Sequence, residues 1–139
     1  MKWYNLIVIS GNQLFYINDY LNRYWWCWLY WVTYSWKTQK ITDYKALKKA
    51  FTGADYIFHL AAEARIGPAI ENPLNALNIN TIGTCNVLQC AREVGAKKVL
   101  YSSTSSGYGL NEAPNIETQP DDCLNPYSVS KIAGEKLCK

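Results

Sequence analysis

The chain has 139 residues, with 14 Lys and Arg against 11 Asp and Glu, for a formal net charge of +3. That length suits one domain with a sizeable core, while the charge is too small and its lysines too scattered for a nucleic-acid surface. Five cysteines, an odd number without CxxC spacing, point to neither a disulfide framework nor a metal site, and reduced thiols fit the cytoplasm.

The first forty residues stand apart. Their single glycine, Gly11, reads by itself as a loop residue. All six tryptophans fall within residues 3–36, densest in WWCWLYW at 25–31, and no period of 2 or 3.6 sorts polar from apolar there. The aromatic run at 24–36 is shorter than the ~20 residues that cross a bilayer, and Asp19 and Arg23 block its extension. No apolar core with a small-residue cleavage site marks a signal peptide. An aromatic tail lying on a membrane or a partner stands as the alternative for this stretch.

From residue 41 the pattern alternates. Thr42 and Asp43 cap a short helix at 43–51, and residues 56–60 form an apolar strand. Residues 73–94 carry a long helical pattern with Leu77, Ile82, Val87, Leu88 and Ala91 facing the core and Gly95 as its stop. Cys85 and Cys90 lie in that helix as small buried hydrophobes. A strand follows at 98–101, then a polar loop at 107–125, and Pro126 opens a helix through residue 136. This order predicts an α/β fold, a parallel sheet with crossover helices.

Within NPYSVSK at 125–131, Tyr127 and Lys131 share one helix face. A free phenol titrates near 10, and bringing it to about 7 for general-base work takes roughly 4 kcal/mol of differential stabilisation. A fixed cation supplies part of that. The same spacing equally describes an aromatic helix start followed by a solvated lysine. Two apolar runs, 55–62 and 99–106, end in small residues and hydroxyls respectively, the chemistry expected where ligands meet the carboxyl ends of parallel strands.

HLAA at 59–62, ENP at 71–73, NTIGT at 80–84, SSTSSGYG at 102–109 and NPYSVSK at 125–131 together resemble the extended short-chain dehydrogenase/reductases, specifically the NAD-dependent epimerase/dehydratase family. The resemblance covers residues 41–139 and is closest in type to the UDP-glucose 4-epimerases. It implies a partial Rossmann-like domain at 41–139, with NAD as cofactor and a nucleotide-sugar as substrate. Tyr127 would be the acid/base, and Lys131 would favour its phenolate and bond the nicotinamide ribose. Thr104 aligns with the hydroxyl that shares the substrate oxygen, with Ser103 and Ser105 as neighbouring alternatives. Leu60, Ala61, Ala62 and Ser102 would line the cofactor. Asn80 would tie the helix to the cofactor region, a role that could equally be structural.

His59, the only histidine, reads as a core residue rather than a base. Arg65 would meet a phosphate or lie in a surface loop. The implied reaction is epimerisation at sugar carbon 4. A 4,6-dehydratase would place acidic residues after the catalytic hydroxyl, where this chain has Ser105 and Ser106. The resemblance also implies a homodimer through the 73–94 helix and the one bearing Tyr127.

Family members are expected to open with a glycine-rich turn that cradles the pyrophosphate, and to continue past residue 139 into a substrate domain. Here residues 1–40 form an aberrant aromatic-rich segment. Tryptophan has one codon, so the run at 25–33 can be written in DNA that, read one base later, encodes Gly-Gly-Ala-Gly-Phe-Ile-Gly-Ser. The same offset through 18–24 can yield an apolar strand. Residues 37–40 leave no room for a second strand ending in a ribose-binding acid. The expectation is therefore a fragment, incomplete at both ends, with a shifted frame near its start and no nucleotide-binding turn. A truncated remnant without enzyme activity is the competing reading.

Overall fold

Burial alternates along the strand Tyr56–His59 (β3): Ile57 and His59 are enclosed while Tyr56 is exposed. Side chains of a strand point to opposite faces in turn, so one face of β3 builds a core and the other does not. The computed structural model describes residues 5–10, 13–18 and 41–139, and of the first two stretches only the backbone pairing. On the covered face, helices α1 (Tyr44–Phe51) and α4 (Gly83–Val94) pack against each other. Leu47 and Phe51 meet Ile57, Val87, Cys90 and Ala91 there. Each fully buried side chain of this size contributes roughly 1.5–3 kcal/mol.

Local chemistry sets the limits of these elements. Asp43 precedes α1 and its side chain accepts from the Ala46 amide at 3.0 Å, satisfying one orphan donor of the first turn. Lys48 and Lys49 close the same helix at its negative end. α4 stops at Gly95, whose φ of +74° only glycine adopts at low cost; the Ala96 amide then bonds the Ala91 carbonyl at 2.9 Å. The strand Lys98–Tyr101 (β4) runs parallel to β3, with Tyr56 opposite Lys98 and His59 opposite Tyr101.

The long helix expected at 73–94 is present as one run, with a π-helical turn inserted in it and a separate short helix before it. α2 (Ile66–Glu71) and α3 (Pro73–Leu77) precede a π-helical turn at Asn78–Ile82, and α4 follows. The inward stripe is Ala76, Asn80, Thr84, Val87 and Ala91. Leu77 is 38% exposed and Ile82 54%, so neither joins the core as expected. Polar Asn80 takes the inward position that counting apolar residues assigned to its neighbours. Cys90 is buried as expected, whereas Cys85, beside the stripe, is exposed.

The sheet has the order β2-β1-β3-β4, with β1 (Asn5–Ser10) and β2 (Gln13–Asn18) at one end. Only β3 and β4 form the expected parallel pair. β1 is antiparallel to both β2 and β3, which corrects the all-parallel expectation. Two residues separate β1 from β2, and so short a link permits only antiparallel pairing, since a parallel return needs a crossover of a dozen or more residues. The tryptophan cluster at 25–31, and with it the shifted-frame reading, lies outside the described residues. A 3-10 turn at Ser105–Tyr108 and the helix α5 (Pro126–Leu137) complete the chain, and α5 packs against α2, α3, α4 and both turns.

Candidate functional site

At the carboxyl end of β3 the backbone leaves the sheet through Leu60, which is 44% exposed, and then through the buried Ala61 and Ala62. The Ser102 amide bonds the His59 carbonyl at 3.1 Å, extending the ladder by one step before Ser102 itself emerges into solvent. Two strands thus end side by side with small or hydroxyl-bearing residues at the edge. His59 lies beneath that edge. Its Nε2 is 2.8 Å from the Thr84 hydroxyl, which itself donates to the Asn80 carbonyl at 2.6 Å. The shared hydroxyl proton leaves Nε2 as the donor, so His59 carries its proton there and Nδ1 is an unpartnered acceptor. Burial first, and the charge of Lys131 second, push its pKa down to about 3. A ring so far from titrating at neutral pH is a core residue, as expected.

Asn80 sits in the π-helical turn and is buried. Its Oδ1 accepts from the Glu63 amide at 2.7 Å. Its Nδ2 donates to the Glu63 carbonyl at 3.2 Å and to the Ser130 hydroxyl at 2.9 Å. The Ser130 hydroxyl in turn donates to the Tyr127 carbonyl at 2.7 Å. One amide therefore joins the loop leaving β3 to the first turns of α5. Single-turn π insertions recur at functional sites, where they re-aim a side chain.

α5 begins with a reciprocal cap. Asn125 accepts from the Ser128 amide at 2.9 Å, the Ser128 hydroxyl contacts the Asn125 backbone, and Pro126 fills the first helical position. Tyr127 follows, half-buried. Lys131, one turn on, is only 3% exposed. Desolvation drives its pKa from the ordinary lysine range down to about 8, with Cys138 opposing weakly. Its ammonium lies over the ring of Tyr101, 4.2 Å from the centroid. Burial also raises the pKa of Tyr101.

The three candidate hydroxyls after β4 differ in their engagements. Thr104 is half-buried, caps the 3-10 turn and accepts from the Ser106 amide at 3.2 Å. Ser103 donates to Glu135 of α5 at 2.8 Å, and Ser105 is exposed. The 3-10 turn packs on α5, so Thr104 and Tyr127 stand on adjoining elements; among the described residues their hydroxyls are not bonded to each other. Arg65 is exposed and precedes α2 without a capping side-chain bond. Ser130 and Tyr101 are the site residues that sequence reasoning missed. A serine three positions after the tyrosine was the signal for Ser130; Tyr101 had none beyond its place at the end of a strand.

For NAD, these residues fit one half of the molecule. Small residues and hydroxyls at the β3 and β4 ends, with the Tyr127 phenol and the Lys131 ammonium on α5, suit the nicotinamide riboside. No glycine-rich turn stands at that edge among the described residues. β1 runs the opposite way to β3, so its last residue lies at the other end of the sheet.

Residues 18–139 match the NAD dependent epimerase/dehydratase family. The chain is 33% identical over 102 residues to UDP-glucose 4-epimerase 2 of Arabidopsis thaliana, covering 71% of this chain and 29% of that protein. Among solved structures it is similar to the UDP-Glc/GlcNAc 4-epimerase of Campylobacter jejuni, with 32% identity, a TM-score of 0.67, and coverage of 72% of this chain and 31% of that one. It is also similar to DesIV, a dTDP-glucose 4,6-dehydratase of Streptomyces venezuelae solved with NAD bound. There the identity is 29% and the TM-score 0.69, with 73% and 32% coverage. The chain spans about three-tenths of the length of the relatives it matches.

Proposed function

Since the chain belongs to the NAD-dependent epimerase/dehydratase family, we propose that residues 41–139 carry the nicotinamide-side catalytic segment of a nucleotide-sugar epimerase, of the UDP-hexose 4-epimerase type. The observation that carries this reading is the placement of Asn80, which joins the loop after β3 to the turn of α5 that holds Tyr127 and Lys131. Its three bonds fix the two sides of the crevice relative to each other, which general acid/base chemistry demands.

In this reading Tyr127 takes the proton from a sugar hydroxyl, and Thr104 shares the same oxygen as charge develops. Lys131 supplies the positive field that favours the phenolate, and its burial strengthens that field because little water screens it. Leu60, Ala61, Ala62 and Ser102 line the cofactor edge, and Asn80 orders it. NAD, when bound, supplies a reversible hydride acceptor. Ser105 and Ser106 follow Thr104 without an acidic side chain, which favours epimerisation over 4,6-dehydration.

Residues 1–40 are proposed to lack a working pyrophosphate turn, which would leave the chain by itself inactive. The direction of β1 supports this. Among the described residues no helix is long and apolar enough to cross a membrane, and the free cysteines Cys85, Cys90, Cys123 and Cys138 suit the cytoplasm. A homodimer through α4 and α5 completes the proposal. Titration of the purified chain with millimolar NAD, read by thermal stabilisation, tests it together with an assay for UDP-galactose conversion. The expected result is weak or no stabilisation and no turnover. Tight binding or turnover would overturn the inactive reading, and turnover to a 4-keto-6-deoxy sugar would overturn the epimerase assignment.

A further inference from the structure

Tyr101, the last residue of β4, touches both ends of Lys131. The face of its ring meets the ammonium, 4.2 Å from the centroid, and its hydroxyl donates to the lysine's backbone carbonyl at 3.1 Å. The gap that admits this ring is made by Gly134, three residues further along α5. A Cβ there would lie 2.9 Å from the phenol Cζ, closer than packing allows. On the sheet side the neutral His59 ring lies against Tyr101, with centroids 5.3 Å apart and planes inclined by 58°.

We propose that Tyr101 is a positioning residue for Lys131, seated in the notch at Gly134, which holds the buried ammonium in place without neutralising it. The choice of an aromatic face is what matters. Among the described residues no carboxylate forms an ion pair with Lys131. A carboxylate would hold the ammonium more firmly, but it would cancel the field that Lys131 is proposed to exert on Tyr127. A ring attracts the cation through its quadrupole and carries no net charge, so the full positive charge persists. The hydroxyl bond to the carbonyl fixes the lysine's own backbone, so the stem and the head are anchored by one group. This inference deepens the reading above and rests on it for its catalytic meaning, though not for its geometry.

The titratable groups around the Lys131–Tyr101 pair are His59 from β3, Tyr127 and Glu135 on α5, and Cys138 just past its end; of these Cys138 and His59 act on the lysine itself. α2, α4 and the 3-10 turn, which also pack on α5, carry Glu71, Cys85, Cys90, Arg92, Glu93 and Tyr108. Desolvation is the main influence on the lysine.

The test is NMR on the full chain with 13C-labelled lysine, Lys131 being assigned by the signal lost in Lys131→Met. In the unmutated chain its ε protons are expected upfield of the other lysines, shifted by the ring current, with cross-relaxation to the Tyr101 ring protons. Tyr101→Leu should return them to the ordinary lysine position. It should also lower the titration midpoint of Lys131 by about one unit, a tenfold change. Tyr101→Phe should keep the upfield shift and the midpoint while speeding amide exchange in the turn after Lys131. Gly134→Ala should displace the shift without removing the ring.

Absent cross-relaxation in the unmutated chain, or an unchanged ε-proton shift and midpoint in Tyr101→Leu, would overturn the proposal. Should Tyr101→Leu unfold, the unmutated chain and Tyr101→Phe still decide it. None of these readouts needs NAD. A chain that shows them yet forms a 4-keto-6-deoxy sugar, or binds NAD tightly, loses the functional reading and keeps this one; a chain that lacks them and neither binds NAD tightly nor turns over does the reverse.

Discussion

β1 and β2 join the sheet by backbone pairing along one side of β3, whereas β4 and α5 are tied to β3 at several levels. On that second side a parallel ladder is backed by the His59–Thr84–Asn80–Ser130 chain, by Tyr101 docked under Lys131, and by a helix with a reciprocal cap. The contrast lies in where strand direction places the turn that follows a strand. A parallel strand beside β3 would deliver its following turn to the carboxyl edge, where ligands bind in such sheets. β1, being antiparallel, places Leu6 beside His59 and Ile9 beside Tyr56, so Ser10 ends at the opposite edge. The second region has the chemistry of a site, while the first has only the position of a neighbour.

If that contrast is right, the largest perturbation should come from the buried polar chain. His59 has its pKa depressed from 6.5 to about 3, so between those values the unfolded chain takes up a proton that the folded chain refuses. Its contribution is therefore intact above pH 6.5 and is lost as pH falls through 3, by about 5 kcal/mol in all. Urea midpoints at pH 7, 5.5 and 4.5 should fall steadily. The Glu93 carboxylate, held at about 2 chiefly by Lys48, starts to lose its contribution only near its ordinary value of 4.5, at the lower edge of this range. In His59→Leu the loss over that interval should vanish; an unchanged slope would remove the histidine from the account.

Asn80→Leu comes next. It removes the bonds Asn80 makes to the Glu63 amide and carbonyl and takes a donor from Ser130. A buried polar group left unpaired costs about 1–3 kcal/mol, so a loss of about 3 kcal/mol is expected in denaturant titration. A cost under 1 kcal/mol would mean that the loop after β3 is held by something else.

Much of the second region was legible from local signals. Asp43, Gly95 and Pro126 marked element ends because capping and backbone restrictions act within a few residues, and β4 matched its expected limits. What failed was anything set by distant partners. Asn80 is a polar residue on an inward stripe, which apolar periodicity passes over. A buried Lys131 contradicts the usual fate of lysine, and its partner Tyr101 lies thirty positions away. The β1–β2 hairpin had a local signal that went unused: Gly11-Asn12 between two apolar runs is a recognised two-residue connection. The direction in which β1 meets β3 has no such local marker.

A smaller effect is expected at the start of α5. Asn125→Ala removes the acceptor for the Ser128 amide and should cost about 1 kcal/mol, whereas Asn125→Gly should cost only a few tenths. Equal losses in the two variants would show that the cap does not hold the helix bearing Tyr127.

The smallest effect on the site should come from breaking the first region itself. Val8 pairs with Phe15 on one side and Ile57 on the other, so Val8→Pro deletes a backbone donor and distorts the ladders of β1. Amide exchange should quicken across β1 and β2 and along the exposed side of β3. The Lys131 resonances and the protection of α5 should stay as they are, because β4, α4 and Asn80 hold that helix without help from β1. Should the Lys131 signals shift along with β1, the two regions would be one cooperative unit, and the hairpin would be a support of the site rather than a mere neighbour.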